Sequence, residues 1–251
     1  MFDTLKIKFF QGKQYIKDIQ NAPMREQFRG LPTLNNKNCT NCNKCLSVCP
    51  TGALKLNPLS IDMSLCTFCG ECKNICENSA IDFSNFYKLG ATDKKSLIIT
   101  EEITNEEYEK IAIQTKKEIT KIFSRSLKLR QVSAGGCNGC EMELNACSNV
   151  NFDMGRFGID FVASPRHADG LVITGPITKN MAYALDNCLK STPDPKIIIL
   201  CGACAISGGV FKDSEELNRE MQEKYPIDLY IPGCPVHPLT FINAVLGYIK
   251  G

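Results

Sequence analysis

Residues 39–50 read Cys39-Thr-Asn-Cys42-Asn-Lys-Cys45-Leu-Ser-Val-Cys49-Pro50, and residues 66–77 read Cys66-Thr-Phe-Cys69-Gly-Glu-Cys72-Lys-Asn-Ile-Cys76-Glu77. These two blocks hold eight of the chain's fifteen cysteines. A shift of 27 residues lays every cysteine of the first block on one of the second (39 + 27 = 66), so the stretch is an internal duplication. C-x2-C-x2-C-x3-C is iron–sulfur spacing. Three closely spaced thiolates hold three irons of a cubane, and the fourth ligand comes from the other block. The expected quartets are Cys39, Cys42, Cys45 with Cys76, and Cys66, Cys69, Cys72 with Cys49. Zinc also takes thiolates, but its sites usually close with two separated pairs, and here four cysteines repeat at one spacing. A disulfide framework belongs to secreted chains, and no export signal is read ahead of the blocks. Glu77 stands where the first block has Pro50, which removes no ligand.

Length and composition narrow the classes. At 251 residues the chain is long enough for two domains. A hydrophobic fraction of 43% with 22% charged residues is globular in type. A net charge of +2 gives no case for nucleic acid or an anionic membrane surface. No run approaches the roughly 18 apolar residues of a membrane span, so a membrane role would have to run through a partner. Fifteen cysteines without an export signal point to a reducing compartment, and to metal in place of bridges. The expected location is cytoplasmic. Only His167 and His237 are available as histidines.

Four segments are expected. Residues 1–35 form an N-terminal extension, a short amphipathic stretch that packs on a partner or on the cluster unit. Residues 36–84 form a two-cluster 4Fe–4S unit whose folding depends on its metal. Residues 85–126 are a linker with a helix capped by Asn105, its apolar positions at Tyr108, Ile111, Ala112, Thr115, Ile119, Ile122 and Phe123. Leu97–Ile99 is a possible short strand. From residue 127 to 251 apolar β-branched runs alternate with helical patterns. Candidate strands are 127–132, 159–163, 171–174, 197–200 and 229–231. Candidate helices lie near 139–147, 178–191, 213–224 and 236–249. The pattern is that of an α/β unit, a parallel sheet covered on both faces.

Ligands of such sheets lie beyond the carboxyl ends of the strands. Cys137 and Cys140 follow the first strand, Cys201 and Cys204 the fourth, and Cys234 the fifth, all in glycine-rich loops. Three readings stay open on spacing alone. Cys137, Cys140, Cys204 and Cys234 could hold a third cubane. Cys137, Cys140, Cys201 and Cys204 could hold zinc as two C-x2-C pairs, though sixty residues separate them (201 − 140 = 61). Or the thiols are free. Cys147 and Cys188 fall within helical patterns and read as core.

The second half also resembles a known family. The segments are Cys137-Asn-Gly-Cys140-Glu-Met-Glu143, Asp153-Met-Gly-Arg156-Phe-Gly158, Ser164-Pro-Arg-His-Ala-Asp169, Thr174-Gly-Pro-Ile-Thr178, Gly202-Ala-Cys204 and Pro232-Gly-Cys-Pro235. Taken in that order, they resemble the small subunit shared by membrane-bound nickel–iron hydrogenases and respiratory complex I. The resemblance implies a flavodoxin-like sheet domain behind a ferredoxin-like one. It implies a single 4Fe–4S cluster on Cys137, Cys140, Cys204 and Cys234, with Cys201 a neighbour. That makes three 4Fe–4S clusters on one chain. It further implies a separate large subunit, membrane-anchor subunits, and a donor such as ferredoxin. The spacing of Cys137 and Cys140 resembles the hydrogenase branch, because the complex I branch carries adjacent cysteines there. The fused two-cluster unit departs from most relatives. Glu143 resembles part of a proton route, against the plainer reading of a structural acid. Arg166 and His167 could lie near the cluster or a partner, or only shape the sheet edge, and His237 reads as structural. Two alternatives stay in view: a nickel-free, complex I-like quinone or ion-translocating module, and a freestanding ferredoxin-like carrier. No G-x-G-x-x-G or P-loop follows any strand, so flavin or pyridine nucleotide is not expected.

Overall fold

The computed structural model describes residues 2–100, 103–114 and 117–250. Five parallel strands make the main sheet: β1 (Leu127–Ser133), β2 (Ile159–Phe161), β3 (Gly170–Thr174), β4 (Ile197–Cys201) and β5 (Leu229–Ile231). Their order is β5-β4-β3-β1-β2. Read from the other edge it is the 2-1-3-4-5 order of the flavodoxin type, with its switch point between β1 and β3. Strands β3 and β4 are buried along their whole length, which is why they read as unbroken apolar runs. Alternate residues serve opposite faces. Leu171, Ile173, Ile198 and Leu200 pack with Leu185 and Leu189 of helix Lys179–Ser191. Val172, Ile197 and Ile199 pack with Leu144 of helix Gly139–Ala146 and with Leu239, Phe241 and Ile242 of helix Pro238–Lys250.

The first of these cores runs on into the cysteine-rich unit, through Leu31, Leu59, Ile61, Met63 and Ile99. The 27-residue duplication is visible in the backbone there. Asn41 and Phe68 both take positive φ, as do Asn43 and Gly70, and Gly52 and Ser79. Helix Lys44–Val48 has its counterpart in Glu71–Asn74. Strand Pro32–Leu34 pairs antiparallel with Ile81–Phe83. Beyond the helix Phe2–Gln11, none of whose residues is buried, the N-terminal stretch lies over both units. Ile19 and Ala22 are buried among residues of helix Pro238–Lys250, and the amide of Asn243 donates to Ile19 O at 3.0 Å.

Two expected helices differ from the sequence reading. The 105–123 helix is two, Asn105–Ala112 and Lys117–Phe123. Thr104, not Asn105, caps the first, in a capping box with Glu107. Thr92 ends it: its N–H donates to Ala112 O at 2.8 Å, and its hydroxyl oxygen accepts from the Gln114 N–H at 3.1 Å. Thr115 lies outside the described residues. The helix expected near 213–224 shrinks to Met221–Lys224. Backbone bonds from Lys179 N–H to Glu216 O and from Asn218 N–H to Ile177 O claim residues 216–218 for an extended pairing. Tertiary partners override a weak helical preference there.

Candidate metal centre

Cys39, Cys42, Cys45 and Cys76 line one cavity of about 70 Å³, closed on its inner side by Leu59 and Ile81. Asn41 and Asn43 take positive φ in the loop that carries Cys39, Cys42 and Cys45. The Ala80 N–H donates to Cys76 Sγ at 3.3 Å, and one repeat earlier the Ala53 N–H donates to Cys49 Sγ at the same distance. Each small residue lets its backbone reach a sulfur.

Cys66, Cys69, Cys72 and Cys49 form a second group. The thiols of Cys72, Cys49 and Cys69 all act electrostatically on Cys66. Burial pushes Cys66 and Cys72 up to about 12. Burial also raises Cys49, but N–H donors of Thr51, Ala53 and Gly52 and the Thr51 hydroxyl outweigh it, and its thiol ends below the ordinary value. The Phe68 N–H donates to Cys66 Sγ at 3.3 Å.

At the carboxyl edge of the main sheet a third group assembles. Cys137 and Cys140 follow β1, Cys204 sits on the short helix Ala203–Ser207 after β4, and Cys234 follows β5. Cys140 senses Cys234 and Cys204, Cys204 senses Cys234 and Cys137, and Cys234 senses Cys137. Burial raises Cys140 to about 12 and Cys204 to about 11. A Cβ on Gly202 would stand 2.7 Å from Cys140 Sγ, and one on Gly209 would stand 2.9 Å from Cys204 Sγ. Only glycine leaves room for those sulfurs. Cys201 is fully buried at the end of β4, beside Cys140, Cys147 and Glu141. Cys147 is buried and Cys188 half-buried.

The three groups lie in series. The Cys45 thiol acts electrostatically on Cys72, which sets the first group near the second. The Cys69 thiol acts likewise on Cys234, which sets the second near the third. A cavity of about 200 Å³ opens at this last junction, between Arg29 and Phe68 on one side and Cys234, Pro235 and His237 on the other. Polar contacts fix the two units together. Ser64 and Ser207 share a hydroxyl bond of 2.8 Å, and the Lys212 ammonium donates to Thr51 O at 2.7 Å. Ala91 and Tyr230 exchange backbone bonds of 2.9 and 2.8 Å at the edge of β5.

Sequence reading did not single out several of these residues. Ser64, Lys212 and Arg29 carry no motif, and only tertiary structure reveals what they touch. Glu141 was equally silent. It is 7% exposed and accepts from the Thr174 hydroxyl at 2.6 Å; its place next to Cys140 was the one available signal. Glu143 is half-buried, and burial raises its carboxyl above the usual range. Arg166 and His167 are exposed in a turn that leads to the amino end of β3, away from the cysteine loops. His237 accepts from the Leu239 N–H at 3.2 Å and meets Phe28 and Phe152 edge-on; burial lowers its pKa.

The donor set suits iron–sulfur clusters. Thiols and no histidine line the first cavity, and backbone N–H groups aimed at sulfur are what a thiolate carrying cluster charge accepts. Buried thiols with raised pKa values need a metal's positive charge to ionise.

Residues 137–248 match the family described as "NADH ubiquinone oxidoreductase, 20 Kd subunit", and residues 31–82 match a "4Fe-4S dicluster domain". The chain is 39% identical over 129 residues to the probable membrane-bound hydrogenase subunit mbhJ of Pyrococcus furiosus, a match spanning 51% of this chain and 77% of that one. It is 46% identical over 123 residues to formate hydrogenlyase subunit 7 of Escherichia coli, covering 49% of this chain and 48% of the relative. With a subunit of the NADH-quinone oxidoreductase of Citrifermentans bemidjiense it shares 41% identity over 107 residues, covering 43% of this chain and 62% of the relative. Among the described residues no helix is long and apolar enough to cross a membrane.

Proposed function

The chain belongs to the family of the 20 kDa subunit of NADH ubiquinone oxidoreductase, with a 4Fe–4S dicluster domain ahead of it, and from that premise we propose that it is an electron-transfer subunit carrying three 4Fe–4S clusters. Cys39, Cys42, Cys45 and Cys76 would hold the first, Cys66, Cys69, Cys72 and Cys49 the second, and Cys137, Cys140, Cys204 and Cys234 the third. Residues 36–84 and 127–251 are the two working domains, with 1–35 as extension and 85–126 as linker. The observation that carries this reading is the Ser64–Ser207 hydroxyl bond of 2.8 Å, which holds the loop of the second cysteine group against the helix of the third.

When bound, such clusters supply one-electron storage at potentials between about −700 and +450 mV. The chain's own residues fix order and environment. Backbone N–H groups of Ala53, Phe68 and Ala80 hold charge on sulfur. Ser64, Ser207 and Lys212 keep the second and third groups in register. Leu59 and Ile81 keep water from the inner side of the first. Cys137 and Cys234 are exposed residues, so the third group has an open side that a large subunit would cover.

We place a nickel–iron site on that large subunit, in a complex held at the membrane by anchor subunits and supplied by a low-potential donor such as ferredoxin. Cytoplasmic placement, peripheral to the membrane, goes with this assembly. The names of the hydrogenase and formate hydrogenlyase relatives support this branch, as does the two-residue gap between Cys137 and Cys140. A nickel-free quinone or ion-translocating module is the second reading, favoured by the NADH-quinone oxidoreductase relative. Glu143 keeps a proposed proton role: burial raises its carboxyl above the usual range, as suits a proton-exchanging group. Nickel and iron analysis of the complex captured anaerobically through this chain separates the branches. About one nickel per chain supports the hydrogenase reading. Iron with a co-purifying large partner and no nickel supports the second.

A further inference from the structure

Arg219 makes an unusual set of bonds. Nη1 donates to Pro176 O at 3.1 Å and Cys204 O at 3.0 Å, and Nη2 to Ala205 O at 2.8 Å and Ile206 O at 2.6 Å. Three of these carbonyls belong to the short helix that carries Cys204. Among the described residues no carboxylate pairs with this guanidinium, although burial works against its charge. A partly buried cation ordinarily meets an anion. The nearby buried acid, Glu141, is engaged by Thr174 and lies against Cys140 and Cys201. Capping the carbonyls does not itself require a charge, because the neutral amide of Gln222 already donates to Ala205 O at 2.9 Å and reaches Ile206 O at 3.5 Å. What Arg219 adds is a fixed positive charge, bonded to the backbone of a residue whose thiol belongs to the third group.

We propose that Arg219 is the fixed countercharge of the Cys137, Cys140, Cys204 and Cys234 site, favouring its reduced, more negative state and so raising its potential above that of an otherwise equal site. The inference rests on the reading of these four cysteines as a 4Fe–4S site. A positive charge held in a region of low dielectric favours the form with one more electron. Lys94 also reaches Ile206 O at 3.5 Å; burial lowers its pKa and Asp62 partly offsets that, so its charge is shared with a carboxylate, as that of Arg219 is not. Arg219 is a positioning residue and touches no reacting partner.

The test is a redox titration followed by electron paramagnetic resonance on the full chain, reconstituted anaerobically. The signal missing from Cys204→Ser identifies the third site. In Arg219→Gln the ratio of reduced to oxidised third cluster at fixed poise should fall about tenfold, or ~59 mV for one electron. In Arg219→Lys the ratio should stay within about threefold of the unsubstituted chain, and in both variants the other two signals should not move. Gln222→Lys leaves Arg219 in place and adds a charge at the same carbonyls, so it should shift the potential upward; this arm also serves if Arg219→Gln loses iron. An unmoved potential in Arg219→Gln with full iron, an equal fall in Arg219→Lys, or no rise in Gln222→Lys overturns the inference. A chain that binds only about 8 irons before any substitution removes the underlying reading instead, and the inference with it.

Discussion

The hydroxyl oxygens of Ser64 and Ser207 lie 2.8 Å apart across the junction of the two units. Ser64 is fully buried and precedes Cys66 by two residues, and Ser207 follows Cys204 by three. One bond thus couples the loop of the second cysteine group to the helix of the third. Neutral hydrogen bonds of this kind contribute about 1 kcal/mol. Ser64→Ala should therefore lower the melting midpoint by about 2–4 °C, and Ser207→Ala by a similar amount. The double variant should cost little more than either alone, because the two share one interaction. Additive losses would show that the hydroxyls act independently.

Gly202 has φ +96°, and a Cβ there would fall 2.7 Å from Cys140 Sγ. Gly202→Ala should strain the backbone by about 1–3 kcal/mol and push the sulfur out of the third group. Iron per chain is expected to drop by about four while the Cys39–Cys76 clusters keep their signals. Full iron retention in this variant would mean that Cys140 is not held where the structure puts it.

Cysteine replacements distinguish ligand from neighbour. Cys204→Ser should remove one cluster. Cys201→Ser should remove none, since its thiol is wholly enclosed at the end of β4. Iron analysis paired with resonance spectra reads both, and cluster loss in Cys201→Ser would revive the pairing of Cys201 with Cys204.

Burial raises Cys140 to about 12 and Cys201 well above its ordinary value of 9.0. In a metal-free chain the folded state therefore keeps protons that the unfolded state releases above about pH 9. Stability from these thiols is fully present below pH 9 and is lost as pH rises toward 12. Cluster binding at Cys140 releases its proton, so assembly should become easier with rising pH. Denaturant midpoints of the metal-free chain between pH 8 and 11, at values chosen to bracket the ordinary thiol range, check the sign; a rising profile would contradict it.

Much of this was readable before any coordinates. The apolar runs 170–174 and 197–201 show as central strands because both faces of the sheet are covered. The repeat spacing of the first eight cysteines carries its own chemistry. Gly136 and Gly233 next to Cys137 and Cys234, and Gly202 two residues before Cys204, announce close backbone approach. The failures have physical causes. The segment 213–220 has helical residues, but Ile177 and Lys179 take its backbone by long-range pairing. Arg219, Ser64 and Lys212 act through carbonyls and hydroxyls distant in sequence, and no local pattern encodes such partners.

The most direct test is the metal content of the anaerobically purified chain. The account predicts about 12 irons per chain, no zinc, and three distinguishable 4Fe–4S signals on reduction. About 8 irons with one zinc would contradict it, leaving the first two quartets in place and making the third a zinc site.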